Sequence, residues 1–216
     1  MINTAPPADP WGPTLPTLPG QRVILRWPNA SDATGLFEVF GDPDVTRFWS
    51  HGPFRSVEEA EGLVGEIQRF FAERVLFQWV VADRQTGRVI GTCTLHRWCG
   101  RHRRAEVGFA LRKSLWGGGW MREAVSVMID FAFSTLNFHR LEADVDPRNQ
   151  RSLALLERLG FRREGLLAER FHVGDEIQDS VLLGLLARHW RSPKPVTDTV
   201  PCVSTSGEAP SNQLDR

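Results

Sequence analysis

Glu106-Val-Gly-Phe-Ala-Leu-Arg-Lys-Ser-Leu-Trp-Gly-Gly-Gly-Trp-Met-Arg-Glu-Ala124 is the stretch that decides how this chain folds. Its first part reads as a strand from Ala105 to Leu111. The glycines at 117 to 119 form a loop, and from there Met121, Ala124, Val125, Met128, Phe131 and Ala132 recur at helical spacing. A strand that enters a helix through such a loop leaves the first-turn N–H groups pointing outward, and the helix dipole favours negative charge there. Glycine lets the backbone approach a phosphate with no Cβ in the way. The junction therefore predicts a seat for a phosphate-bearing cofactor; a glycine-rich turn with no ligand is the other reading of the same residues. Two nucleotide loops are excluded. No Gly-Lys-Ser/Thr follows, so no lysine reaches a β- or γ-phosphate. The dinucleotide pattern would need glycine or alanine at 122, where Arg122 stands.

Upstream of this junction, Arg22 to Arg26 is a short β-rich run stopped by Trp27-Pro28. Leu36, Phe37 and Phe40 predict a helix opened near Asn29 or Ser31, broken at Gly41-Asp42-Pro43-Asp44. A second helix runs from Ser56 to about Ala72, with Ser56 and Glu59 spaced as a capping box. Leu76–Ala82 and Arg88–Trp98 read as a hairpin turned at Asp83–Gly87. Downstream come a strand, Arg140–Val145, a helix, Asn149–Leu159, ended by Gly160, and strands near Arg162–Phe171 and Glu176–Leu186 about a turn at Val173-Gly174-Asp175. Hairpins followed by strand–helix–strand–helix predict a mixed α/β (α+β) fold. It is a single domain with one twisted mixed sheet of about seven strands and helices on both faces.

The chain has 216 residues, 26 basic and 26 acidic, so its net charge is zero and no chain-wide field draws it to nucleic acid or an anionic membrane. No apolar run reaches the roughly 18 residues a membrane span requires. Of the 14 prolines, six precede Gly20 and four follow Arg191. Residues 1–20 accordingly read as a disordered Pro-rich arm, 192–216 as a disordered polar tail, and 21–191 as the domain. The start lacks a basic region followed by an apolar core, so the expectation is a cytoplasmic protein. Cys93, Cys99 and Cys202 have neither the number for a disulfide framework nor C-x-x-C spacing, and no metal is implied.

Residues 106–124 resemble the acyl-CoA-binding motif of the GNAT superfamily of N-acetyltransferases, Gln/Arg-x-x-Gly-x-Gly/Ala, matched by Ser114-Leu-Trp-Gly117-Gly-Gly119. Asn149-Gln-Arg-Ser152 with Leu159-Gly-Phe161 resembles the Asn-x-x-Ser…Leu-Gly-Phe segment of the same superfamily. Leu25-Arg26…Asp32-Ala33 and Asp42-Pro-Asp-Val-Thr-Arg-Phe-Trp49 resemble its Rim-type branch, which includes ribosomal-protein alanine acetyltransferases. The resemblance runs from about residue 21 to 190, with all four segments in order. It implies an enzyme that moves an acetyl group from acetyl-CoA to a primary amine by direct attack in a ternary complex. The acceptor is a protein N-terminus or a small-molecule amine, and the protein a monomer or homodimer. A non-catalytic acyl-CoA-binding or RNA-associated module on the same fold is the alternative.

The same resemblance assigns roles. The pyrophosphate sits on the amides of Lys113, Ser114, Trp116, Gly117, Gly118, Gly119 and Trp120. The pantetheine arm pairs with a bulged strand around Gly108, Phe109, Ala110 and Leu111, and Asn149 hydrogen-bonds its amides. Ser114 departs from the motif's Gln or Arg, which removes a side-chain contact but leaves the backbone amides. Strand alternation puts Glu106 on one face with Gly108 and Ala110, and Rim-type relatives carry a glutamate there, so it is the candidate base, acting directly or through water; a solvated edge carboxylate is the other reading. A backbone N–H near Phe109 would polarise the thioester carbonyl. Many relatives place a tyrosine acid where this chain has Leu156, and the chain contains no tyrosine. Rim-type members carry a serine matched by Ser152, the candidate donor to the leaving thiolate; a helix-capping serine is the alternative.

Phe48, Trp49 and His51 lie in the acceptor-side segment and either wall the amine pocket or pack the core. Asp179 in the last strand could meet a cationic acceptor or be a hairpin surface residue. Arg97, Arg101, His102, Arg103 and Arg104 form a basic turn, either solvated or a contact for RNA or an acidic partner. Cys93 reads as core.

Overall fold

The structure, a computed structural model, describes residues 12–49, 51–173 and 175–192. One mixed sheet runs through them, and its strands are β1 (Leu18–Pro19), β2 (Val23–Arg26), β3 (Leu76–Asp83), β4 (Val89–Cys99), β5 (Arg104–Leu111), β6 (Arg140–Val145), β7 (Arg162–Val173) and β8 (Glu176–Leu186). The helices are α1 (Ala33–Phe40), α2 (Pro43–Thr46), α3 (Val57–Ala72), α4 (Trp120–Ser134) and α5 (Gln150–Arg158). The strand order is β1-β2-β3-β4-β5-β6-β8-β7. Every neighbouring pair is antiparallel except β5 and β6, the parallel pair at the centre. The seven expected strands are present, and the eighth is the two-residue β1.

That extra strand corrects the reading of residues 1–20 as a disordered arm, for the part the structure describes. Leu15 and Leu18 are buried in the main core, and the carbonyl of Pro16 accepts from Trp79 Nε1 at 2.9 Å. Two leucines and one carbonyl suffice to fasten residues 12–20 across the sheet, an outcome the proline content concealed. Residues 1–11 and 193–216, including Cys202, lie outside the described residues, as does Gly174 of the last turn. The expected tail begins at Ser192, whose hydroxyl donates to Asp130 Oδ2 at 2.7 Å.

Helix starts follow local chemistry. Asn29 opens the first helical turn with a complete capping box to Asp32, which also pairs with Arg26. At α3 the expected box between Ser56 and Glu59 does not form. Glu59 accepts from the Arg55 N–H instead, and Ser56 bonds to Glu58, so the cap is shifted by one residue on each side.

Alternation along the strands divides the sheet into two unlike faces. Odd-numbered residues such as Phe77, Trp79, Leu95, Val107 and Leu141 join one dry core with Met128 of α4 and Leu153 and Leu156 of α5. On the other side, Val80 and Ala110 pack with Leu36 and Val39 of α1 and Val64 of α3. Thr92, between Val80 and Ala110, is a buried polar residue in that same row, and farther along that face Gln78, Thr94 and Ser180 are buried too.

Candidate functional site

The chain between β5 and α4 is tied down from outside and left open above. Trp116 Nε1 donates to the Leu111 carbonyl at 2.8 Å, and Arg22 binds both Glu123 and the Gly118 carbonyl while its guanidinium covers the Trp120 ring. The Lys113 side chain is taken up by an ion pair with Asp44, and Ser114 is exposed. Gly117 and Gly119 have φ of +79° and +78°, the left-handed region where side chains are strained. A Cβ at Gly117 would meet nothing within 4 Å, so open space lies over the loop. Among the described residues, no acceptor takes the N–H of Gly117, of Gly119, or of Trp120, Met121 and Arg122 at the start of α4, and no side chain caps that helix. Unused amides at the positive end of a helix fit a pyrophosphate. Arg151 of α5, stacked over Trp116 at 4.5 Å, adds a cation at the same rim.

Beside the loop, the sheet comes apart. β5 and β6 pair over only three residues, Arg104–Glu106 with Arg140–Glu142, after which β6 continues with β8 and β5 with β4. The β6-facing edge of Val107–Leu111, with Phe109 in it, is left without a ladder partner, which suits an extended amide-bearing arm. The expected bulge at Gly108 is absent, because β5 stays in unbroken register with β4 from Glu106 to Leu111. The opening arises from β6 turning away. Across it, Asn149 caps α5, its Oδ1 accepting from Ser152 N at 3.2 Å, and its amide nitrogen donates to no described residue. Ser152 is half-buried, and its hydroxyl makes no hydrogen bond among the described residues. The position of the relatives' tyrosine is filled by Leu156, fully buried in the dry core.

At the start of the opening, the polar face presents Glu106. Its two oxygens lie 3.1 Å from Arg97 Nη1 and 3.5 Å from His96 Nε2. Burial raises the Glu106 carboxyl above the ordinary carboxylate range, against the opposing pull of Arg97. Burial, helped by the Arg97 charge, pushes His96 down to about 4, so its ring is neutral at pH 7. Two residues past the last β6 pairing stands Asp144, with a side chain 5% exposed. Ser180 of β8 donates to its Oδ1, and Arg170 Nε is 3.7 Å from its Oδ2. The Asp144 carboxyl is raised by burial first and then by the charge of Glu106.

The acceptor-side expectations separate. Phe48 is half-buried between the guanidinium groups of Arg47 and Arg148, at 5.3 and 5.7 Å. Trp49 packs edge-on against Phe40 of the second core at 5.0 Å. Asp179 accepts from the Glu169 N–H at 2.9 Å and holds a break in the β7–β8 register, where Glu169 has φ of +53°. Its Oδ1 is taken up by that irregularity, and its Oδ2 meets no donor among the described residues. In the basic turn, Arg97, Arg103 and Arg104 have partners in Glu106, Asn137 and Glu142. Cys93 is core, its sulfur 3.7 Å from that of Met121. His96, Asp144, Ser180, Arg151 and Arg170 were not singled out from the sequence. Only Asp144 carried a signal: Arg140, Glu142 and Asp144 alternate with apolar residues in a central strand, which marks a charged face.

The family model described as the acetyltransferase (GNAT) domain matches residues 22–162. An N-acetyltransferase of Bacillus licheniformis, p20, is 34% identical over 176 residues, covering 82% of this chain and 99% of that protein. Among solved structures, spermidine N-acetyltransferase from Vibrio cholerae in complex with CoA and spermine superposes with a TM-score of 0.68 at 25% identity, covering 78% of this chain and 97% of that one. The ribosomal-protein-S5-alanine acetyltransferase of Vibrio fischeri gives a TM-score of 0.67 at 26% identity, covering 82% and 99%.

Proposed function

This chain belongs to the GNAT acetyltransferase family, and we infer that it transfers an acetyl group from acetyl-CoA to a primary amine, within a domain spanning residues 21–191. The observation that carries the reading is the set of N–H groups at Gly117, Gly119 and the start of α4 that find no acceptor among the described residues, beside the β5–β6 opening. Bound acetyl-CoA supplies the activated acyl group as a thioester. The amides of Lys113, Ser114, Gly117, Gly119 and Trp120 hold its pyrophosphate, those of Trp116 and Gly118 being taken by the carbonyls of Lys113 and Leu115, and the free edge of β5 around Phe109 and Leu111 aligns its arm with the amide nitrogen of Asn149. The unpaired strand edge near Phe109 supports the assignment of a backbone N–H to the thioester oxygen. Glu106 takes the proton from the acceptor nitrogen, directly or through one water, and its raised pKa brings it nearer the operating pH of a base. The amine then attacks the carbonyl carbon, the C–N bond forms, and the C–S bond breaks. Ser152, whose hydroxyl has no other partner among the described residues, donates to the departing sulfur.

The acceptor is a protein N-terminus or a small-molecule amine, with Phe48, Trp49 and Asp179 on the acceptor side. The neutral composition and the free thiols of Cys93 and Cys99 support a cytoplasmic location. Among the described residues no helix is long and apolar enough to cross a membrane.

Thermal unfolding with and without acetyl-CoA tests the seat. At 100 times its dissociation constant the ligand stabilises by about 2.7 kcal/mol, a rise of roughly 5–10 °C for a domain of this size. Gly119→Val, forcing a branched side chain into φ of +78°, is expected to lose that rise. An equal rise in both proteins would remove the loop from the cofactor site. Thiol release on adding amines separates an enzyme from a binding module.

A further inference from the structure

The side chains around Glu106 are unevenly satisfied. At the β5–β6 pairing, Glu142 is bound by Arg104 and Arg140, and Arg140 also by Glu164, so charge there is closed. Past the end of the pairing the accounting stays open. Asp144 shares the face of Glu106, since Glu106 and Glu142 are register partners and Asp144 is two residues on. One of its oxygens is held by Ser180, which is itself fully buried. The other has only Arg170, at 3.7 Å, beyond hydrogen-bond distance.

A second observation points to a missing partner. Thr94 and Gln78, 8% and 7% exposed, lie side by side on the same face, and neither side chain makes a hydrogen bond among the described residues. Thr94 pairs across from Gly108, where a Cβ would stand 3.6 Å from Thr94 and 3.8 Å from His96 Nε2. Glycine there keeps a gap bounded by His96, Thr94 and the β6 side of the opening. The polar atoms of Thr94 and Gln78 are reached by solvent although the residues are mostly covered, so a ligand or water entering the gap can complete them. Two buried carboxylates on one face repel, and a cation between them removes that repulsion and takes the free lone pairs.

We propose that Asp144, positioned by Ser180, is an acceptor-binding residue that with Glu106 receives the amine as an ammonium at the mouth of the β5–β6 opening. This rests on the acetyl-transfer reading above. The seat suits alkylamines, which titrate near 10.4 and arrive charged, more than peptide α-amines, which titrate near 7.7 to 8.0. Arg97 and Arg170 pair with the outer sides of the two carboxylates from β4 and β7, and His96 is neutral, so the ammonium is met by the carboxylate oxygens on the side facing the opening.

The experiment is steady-state CoA release by the wild type, Asp144→Asn and Ser180→Ala with two probes: n-butylamine at pH 7.5, and an alanine tripeptide amide at pH 9, where its amine is neutral. Asp144→Asn preserves the shape and the Ser180 bond while removing the charge. The expected result is a KM for butylamine raised tenfold or more, kcat within threefold, and a KM for the neutral peptide within threefold. Ser180→Ala is expected to raise the butylamine KM about threefold. Acetyl-CoA stabilisation stays unchanged in both variants. An unchanged butylamine KM, or equal losses for both probes, would overturn the role. Loss of acetyl-CoA stabilisation in Asp144→Asn would make the residue structural and overturn it too. If the wild type itself releases no CoA with either probe, the transferase reading falls, and this proposal with it.

Discussion

The two faces of this sheet are covered by helices alike, yet they are built to opposite rules. Against α4 and α5 the odd-numbered residues Phe77 to Val81, Cys93 to Leu95, Ala105 to Leu111 and Leu141 to Val145 are all apolar, and Trp79, Leu95 and Leu141 are fully buried. On the other face the covered residues include Thr92 in the row that meets α1 and, past it, Gln78, Thr94, Glu106, Asp144 and Ser180. Burying apolar area stabilises at about 25 cal/mol per Å², whereas burying polar groups with incomplete partners costs free energy. One side therefore supplies the stability that the other gives up in keeping donors and acceptors ready for a substrate.

The strongest challenge to that division is Trp79→Ala. Removing a fully buried indole from the dry face, along with its bond to Pro16, is expected to destabilise by about 3–5 kcal/mol in denaturant titration, while acetyl-CoA still raises the melting temperature. Glu106→Gln reverses the pattern. Turnover is expected to fall about a hundredfold or more, with acetyl-CoA affinity within twofold and stability little changed. In the wild type, activity is lost as pH falls through the raised Glu106 pKa, because the base must be ionised; the acid limb of kcat/KM therefore lies above the ordinary glutamate value, and the variant lacks it. Wild-type turnover in Glu106→Gln would return that residue to an ordinary edge carboxylate. The smallest effect sharpens the comparison most. Thr92 Oγ1 is buried with no partner among the described residues, so Thr92→Val is expected to stabilise by about 1 kcal/mol, raising the melting temperature by roughly 2–4 °C. A loss of similar size would show the hydroxyl to be satisfied in solution.

Most elements were legible because their signals are local. The glycines at 117 and 119, the apolar spacing of Met121 to Ala132, and Gly160 after α5 each act within a few residues of their own effect. The capping box at Ser56 was misread because Glu59 accepts from the Arg55 N–H, one residue before the cap, and Ser56 is taken by Glu58. Residues 12–20 were misread because their order comes from Trp79, far along the chain. The cofactor loop was readable, since backbone amides need only glycine and a helix start. The acceptor face was half readable. Glu106 was visible by alternation and by resemblance, but His96, Asp144, Ser180 and Arg170 come from four other strands, and nothing in their own neighbourhoods says that they meet.

By itself the sequence determined the alternation of each strand, the helix starts and the phosphate loop, all properties of short-range backbone chemistry. It determined the family as well, through four segments in order. Where β6 leaves β5, and hence which carboxylates face one another across the opening, was decided only by the tertiary structure. Strand pairing joins residues with no shared local signal, and the separation of β5 from β6 depends on β6 following β8 rather than on any residue at the gap.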